Sequence, residues 1–130
     1  MRASSSAQAF NNVPNHDYLK FFEKSKLEPK RVVDFLKFDQ TDVAKATTLP
    51  KSSIRYDERI PEELEQRLTE IAVICELVAG YFKGDVQKTA LWFQLPNPQL
   101  GNIAPREMIR YERYKKLLRF VQSALSGISP

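Results

Sequence analysis

Few residues in this chain have the chemistry of a catalytic or metal-binding site. His16 is the only histidine and Cys75 the only cysteine. A lone thiol inside an apolar helix packs as a small hydrophobe and stays protonated, and a single histidine near the start of the chain supplies no set of metal ligands. The carboxylates of Glu62 and Glu63 fall at a predicted helix start, where the helix dipole accounts for them. We therefore expect a binding protein, without enzymatic activity, metal or cofactor.

A second group of polar residues follows Pro50. Proline suits the first turn of a helix and Asp39 is a predicted N-cap for the helix before it, so residues 41–56 predict a helix-turn-helix. The second helix of that motif enters the major groove of DNA, where its side chains contact phosphates and bases. The candidate DNA-binding residues are Lys51, Ser52, Ser53, Arg55 and Tyr56. The alternative is that two short helices only complete a bundle, since residues 47–49 form a turn without the glycine that is common there.

A proline-rich corner is the most specific motif in the sequence. Trp92 ends a helical pattern, and three prolines within residues 95–105 exclude a helix there. Gly101 and Asn102 tolerate positive φ, and Pro105 restarts a helix. The residues predicted to hold this corner together are Trp92, Leu100, Gly101, Asn102 and Pro105.

The corner and the helices around it, about residues 60–125, resemble the toxin-binding domain of the Xre/MbcA/ParS antitoxins. The motifs that carry the resemblance are Trp92-Phe93, Pro96-Asn97, Leu100-Gly101-Asn102, the helix that Pro105 opens, and the closing residues 121–125. The sequence departs from the family pattern at Asn102, which replaces a second glycine, and at Arg113 or Tyr114, which replaces a glycine common near the last helix. The predicted helix-turn-helix precedes this domain, as is usual in such antitoxins.

The resemblance implies a cytoplasmic antitoxin that neutralises a RES-domain, NAD-consuming toxin by covering its active-site cleft. It also implies a homodimer that binds the promoter DNA of its own operon. The predicted toxin contacts are Arg113, Lys116, Arg119, Ile128, Ser129 and Pro130, because cations beside an apolar tail suit an acidic or nucleotide-binding groove. A run of cations such as that from Arg113 to Arg119 is, alternatively, often only a solvated helix face. The alternative function is a stand-alone helix-turn-helix transcription regulator without a toxin partner.

Composition and charge are compatible with both functions. The formal net charge of +4 and the isoelectric point near 9.2 permit a nucleic-acid partner. One cysteine fits a reducing compartment, and no apolar run follows the start of the chain, as a secretory signal would require. The longest apolar stretch, residues 71–82, is shorter than the roughly 20 residues that span a bilayer. We expect a cytoplasmic protein without membrane contact.

The elements that must position these residues are predicted to be helices in an all-α bundle. Residues 1–15 are predicted to form a mobile N-terminal arm, 16–59 the helix-turn-helix part and 60–130 the toxin-binding domain. An apolar seam predicts a central core helix over residues 61–82; its members are Leu64, Leu68, Ile71, Cys75, Val78 and Phe82. The other predicted helices cover residues 17–25, 27–38, 40–46, 50–56, 86–93, 105–109 and 111–125.

Overall fold

Helices make up most of the structure, a computed structural model that describes residues 16–127. The predicted arm, residues 1–15, and the tail residues 128–130 lie outside the described residues. The helices are α1 (Pro29–Phe35), α2 (Gln40–Thr47), α3 (Glu62–Tyr81), α4 (Val86–Gln94), α5 (Pro105–Arg110) and α6 (Tyr114–Leu125). Two strands, β1 (Phe22–Glu23) and β2 (Lys26–Leu27), form a small antiparallel sheet. The predicted helical class is confirmed, with this sheet as an addition.

A β-hairpin replaces the first predicted helix, over residues 17–25. The turn residues Lys24 and Ser25 both have left-handed φ, 51° and 67°, which is the backbone geometry of a tight hairpin turn. Ahead of the strands, the Asp17 carboxylate accepts the main-chain N–H groups of Phe21 and Phe22 at 2.8 and 3.0 Å. The helical prediction was wrong because these side-chain hydrogen bonds compete with the helical pattern.

The second helix of the predicted helix-turn-helix is not formed. Pro50 precedes only a single 3-10 turn, Lys51–Ser53, and the backbone is extended at Ile54. The side-chain amide of Gln40 donates to the carbonyl oxygens of Lys51 and Ile54 at 3.1 and 3.3 Å. The buried Ile54 side chain also draws the chain into the core. Tertiary contacts therefore override the local helical signal in this segment.

Helix α3 is the centre of the bundle and confirms the predicted core helix. The seam residues that are buried are Leu64, Leu68, Ile71, Cys75 and Val78. Helices α1, α4 and α6 all pack against α3. The hydrophobic core extends from Phe21 in the hairpin segment to Val121 in α6, so residues from both predicted parts of the chain contribute to it.

The predicted corner lies between α4 and α5. The main-chain N–H of Asn97 donates to the carbonyl of Ile103 at 3.2 Å, and the Asn97 carbonyl accepts the N–H of Asn102 at 2.9 Å. Gly101 and Asn102 adopt left-handed φ, 75° and 64°. Pro105 is buried at the start of α5. The corner is thus closed by main-chain hydrogen bonds and by two left-handed residues.

Helix α6 begins three residues later than the predicted start at residue 111. Glu112 has a left-handed φ of 65°, and the N–H of Arg113 donates to the carbonyl of Met108 at 2.7 Å. This is the Schellman pattern that ends a helix. The chain therefore changes direction after α5, and Arg113 becomes the N-cap of α6.

Candidate protein-binding groove

An open groove lies between the C-terminal ends of α3 and α6 and the corner that follows α4. Its volume is about 200 Å³. Eight of its lining residues are apolar or aromatic: Val78, Tyr81, Phe82, Trp92, Phe120, Val121, Ala124 and Leu125. The side-chain amides of Asn97 and Gln99 add hydrogen-bonding groups at the corner. A concave, mostly apolar surface with a few polar groups is typical of a binding site.

Parallel packing of α3 and α6 produces the walls of the groove. At the start of these helices, the guanidinium of Arg67 lies 4.4 Å from the ring centre of Tyr114. Near their ends, Val78 and Val121 line the same groove. Because both helices run in the same direction, their C-terminal ends meet at one end of the bundle, where the corner completes the groove.

Trp92 joins the groove to the aromatic core. Its ring packs edge to face on Phe93, with 5.0 Å between centroids and an interplanar angle of 84°. Phe93 is fully buried and makes a similar contact with Phe35 of α1, at 5.9 Å and 75°. Such aromatic pairs favour a defined ring orientation. The tryptophan wall of the groove is therefore held in place before any partner binds.

The rim of the groove exposes large apolar side chains. Tyr81 is 64% exposed and Leu125 is 41% exposed. Leu91 in α4 and Leu95, which follows α4 with an extended backbone, are also 55% and 51% exposed, but they do not line the groove. Exposed apolar side chains that gather beside a groove mark an interaction surface.

Neither Tyr81 nor Leu125 is among the binding residues that the sequence predicts. The position of Leu125, four residues after Val121, predicts a side chain that faces the core, but it is 41% exposed. Tyr81 gives no signal of exposure, since it lies within the largely apolar stretch of residues 71–82. Only the packed helices show which of these residues remain exposed.

The predicted toxin contacts on α6 are all exposed. Arg113, Lys116 and Arg119 form no ion pair within residues 16–127. Lys116 lies one turn before the groove residue Phe120, so it is the nearest of the three along that helix face. The other predicted contacts, Ile128, Ser129 and Pro130, lie outside the described residues.

The predicted DNA-binding residues lie in and just after the 3-10 turn. Lys51 and Ser52 are exposed, and Ser53 is half-buried. The Arg55 guanidinium donates to both carboxylate oxygens of Asp57 at 2.7 and 3.0 Å, and this contact raises the arginine pKa. Burial raises the pKa of Tyr56, which packs against the core. The five residues are close in sequence, but no α-helix presents them to a DNA groove.

The predicted corner residues divide between the groove and the scaffold. Trp92 lines the groove, whereas Pro105 is buried and Leu100 packs against the core. Gly101 and Asn102 are exposed in their left-handed turn. Of this set, only the tryptophan side chain faces the groove.

The described part of the chain shows no metal-binding cluster. Within residues 16–127, no three side chains of histidine, cysteine, aspartate or glutamate are grouped to hold a metal ion. Burial raises the pKa of the Cys75 thiol well above its ordinary value, so the thiol stays protonated at neutral pH. None of the helices in this range has both the length and the apolar character needed to cross a bilayer.

Comparisons of the chain with protein families, with characterised proteins and with solved structures found no match. The groove itself is therefore the main observation on which a function rests. Its chemistry is that of apolar burial with a few hydrogen bonds, which suits a protein partner.

Proposed function

We propose that this protein is an antitoxin that binds a RES-domain toxin through the groove between α3, α4 and α6. The observation that carries the proposal is the exposed apolar rim, above all Tyr81 and Leu125, around an open groove. This rim adjoins the corner whose motifs resemble the antitoxin family. Removing such side chains from water is the main driving force for protein association.

The groove has the features of an interface centre. Tyr81 and Trp92 supply aromatic side chains, which are enriched among residues that dominate binding energy. Asn97 and Gln99 supply amides at one end of the groove. Because Trp92 is already held on Phe93, little side-chain entropy is lost when a partner binds. Neutralisation is then steric: the antitoxin covers the cleft of the toxin, and this chain contributes no chemistry of its own.

Several more detailed expectations from the sequence, on contacts and assembly, remain predictions under this proposal. They include toxin contacts by Arg113, Lys116, Arg119 and residues 128–130, promoter binding by residues 51–56, and a homodimer. The alternative, a stand-alone transcription regulator, requires DNA binding but no toxin.

The test is a double substitution at the groove rim, Tyr81→Ser with Leu125→Ser. Both side chains are mostly exposed, so we expect the fold to persist while affinity for the toxin falls at least about tenfold. The protein is co-expressed with a RES-domain toxin. Growth, cellular NAD and co-purification of the two chains are measured.

The matched control is the double substitution Tyr111→Ser with Val86→Ser. These residues are also exposed, at 50% and 45%, but do not line the groove. We expect the control to rescue growth like the unmodified protein. Equal loss in both variants, full rescue by the groove variant, or failure of the unmodified protein to bind the toxin contradicts the proposal.

A further inference from the structure

The outward face of α6 carries hydrogen-bond donors and no acids. Its exposed polar residues are Lys115, Lys116, Arg119, Gln122 and Ser123. Residues 113–127 contain no aspartate or glutamate. The acid nearest in sequence is Glu112, in the turn before the helix. A face of this kind differs from an ordinary solvated surface, on which both signs of charge are mixed.

The cations of α6 are also unpaired, in contrast to those of α5. In α5, Arg106 and Arg110 both bind carboxylates, at 2.7 and 2.6 Å. On α6, Lys115 and Arg119, like Arg113 and Lys116, form no ion pair with any described residue. Four positive charges within seven residues are therefore available to an external polyanion.

We propose that this outward face of α6 binds the phosphate backbone of duplex DNA. On a helix, residues 115 and 119, and 116 and 119, lie about 5–6 Å apart at Cβ, so the three cations form one compact charged patch. Lysine and arginine gain affinity by releasing counterions from DNA. The neighbouring Gln122 and Ser123 supply further donors of the kind that contact phosphates. We expect this binding to be independent of base sequence, because contacts to phosphates carry no sequence information.

Duplex DNA fits this face better than a membrane or duplex RNA. The apolar face of α6, formed by Leu117, Leu118 and Val121, is buried in the core, so it cannot insert into lipid as an interfacial helix does. The side of a helix can approach the phosphates that flank the wide major groove of B-DNA, whereas the major groove of A-form RNA is too narrow for side chains to enter. The proposal depends neither on toxin binding by the groove nor on residues 51–56.

The experiment measures anisotropy of a fluorescein-labelled DNA duplex of mixed sequence across a series of KCl concentrations. For the unmodified protein, we expect log affinity to fall with log salt with a slope of about −3, because three cations are each expected to neutralise one phosphate. The variant K115Q/K116Q/R119Q is expected to lose at least about tenfold in affinity at low salt and most of that slope. The matched control is K20Q/K24Q/K26Q, which removes three exposed lysines outside α6. It is expected to keep the slope, and far-UV circular dichroism checks that both variants are folded.

Several outcomes would overturn the proposal. They are absence of DNA binding by the unmodified protein, equal losses in the two triple variants, and loss of DNA binding only in the variant K51A/R55A. Binding to phosphatidylserine vesicles without binding to DNA assigns the face to lipid and overturns it as well. If the unmodified protein does not bind DNA and the α6 variant loses toxin binding, the cations of α6 are assigned to the toxin instead. Retained DNA binding in the Tyr81→Ser/Leu125→Ser variant supports separate surfaces.

Discussion

Glu76 is a buried carboxyl group that ties the hairpin segment to the central helix. It is only 4% exposed, and its two oxygens accept the main-chain N–H groups of Tyr18 and Leu19, each at 2.9 Å. Burial raises the pKa of Glu76 to about 7, and the neighbouring Asp17 carboxyl adds to the rise. The attachment of this segment to α3 therefore includes a group that titrates near neutral pH.

This pKa predicts how stability changes with pH. The folded protein holds a proton on Glu76 that the unfolded chain releases near pH 4.5, so its contribution is fully present below pH 4.5. This contribution to the free energy of unfolding is lost as pH rises through about 7. The loss is at most about 3 kcal/mol. We expect Glu76→Gln to flatten the fall of Tm between pH 5 and pH 8, as measured by circular dichroism. An unchanged pH dependence in this variant contradicts the assignment.

Gly84 shows what local sequence does and does not reveal about a residue. A glycine after a helical pattern predicts the end of a helix. Helix α3 does end here, but the left-handed residue of its Schellman pattern is Lys83, with φ 56°, and Gly84 follows it with φ 83°. The structure adds a second reason, because a Cβ atom at this position would lie 2.9 Å from the Tyr18 ring. That contact joins residues far apart in the chain, so no local pattern shows it.

At the scale of elements, a cluster of four charged side chains joins α2 to α5. The Asp42 carboxylate accepts Arg110 Nε at 2.6 Å, and Glu107 accepts hydrogen bonds from both Arg106 and Arg110. Arg106 also donates to the carbonyl of Leu36, just after α1, at 2.8 Å. Burial alone would raise the pKa of Asp42, but hydrogen bonds from the Asp39 main chain and from Arg110 hold it below its ordinary value. Helix α5, which follows the corner, is thus bonded to α2 and to the residue just after α1.

Asp42 and Asp39 offer a matched test of this joint. Both carboxylates belong to the capping box of α2, but only Asp42 also binds Arg110. We expect Asp39→Ala to lower the free energy of unfolding by about 1 kcal/mol, the usual effect of losing a cap. Asp42→Ala is expected to cost about 2 kcal/mol, because a charge-assisted hydrogen bond is lost as well. Urea denaturation measures both, and equal losses would mean that the joint adds no stability.

The elements differ in how far the sequence predicts them. Helix α3 follows from its long apolar seam, and α2 follows from the cap at Asp39, because both signals are local. The 3-10 turn at Lys51–Ser53 is not predicted by the sequence, because Gln40 of α2 donates to the carbonyl groups of Lys51 in the turn and of Ile54 just after it. The hairpin also escapes prediction, since Tyr18, Phe21 and Phe22 have a spacing that suits a helix equally well.

At the scale of the whole molecule, the groove belongs to no single segment of the sequence. Its lining comes from α3, α4, the corner and α6, and extends along the chain from Val78 to Leu125. The residues that form its floor, such as Val78 and Val121, follow ordinary core periodicity. Prediction therefore located the corner and the charges of α6, but the groove itself depends on how the helices pack.

The shared core has a consequence for how the protein unfolds. Because the core runs from Phe21 to Val121 and ionic contacts join α2 to α5, we expect one cooperative transition rather than two. Far-UV circular dichroism reports all helices, whereas Trp92 is the only tryptophan and reports the groove. The two signals should have the same midpoint in guanidinium chloride.

A single substitution distant from the groove tests whether the protein unfolds in one transition. Val43 of α2 is fully buried in the core, and Val43→Ala should remove about 2 kcal/mol of stability by leaving a cavity. If the protein unfolds as one unit, the Trp92 transition shifts by the same amount as the helical transition, although Val43 does not line the groove. The exposed Val86→Ala is the control and should shift neither. A Trp92 midpoint that stays in place while the helical signal moves would show that the groove half folds independently, and the groove would then tolerate loss of the N-terminal helices.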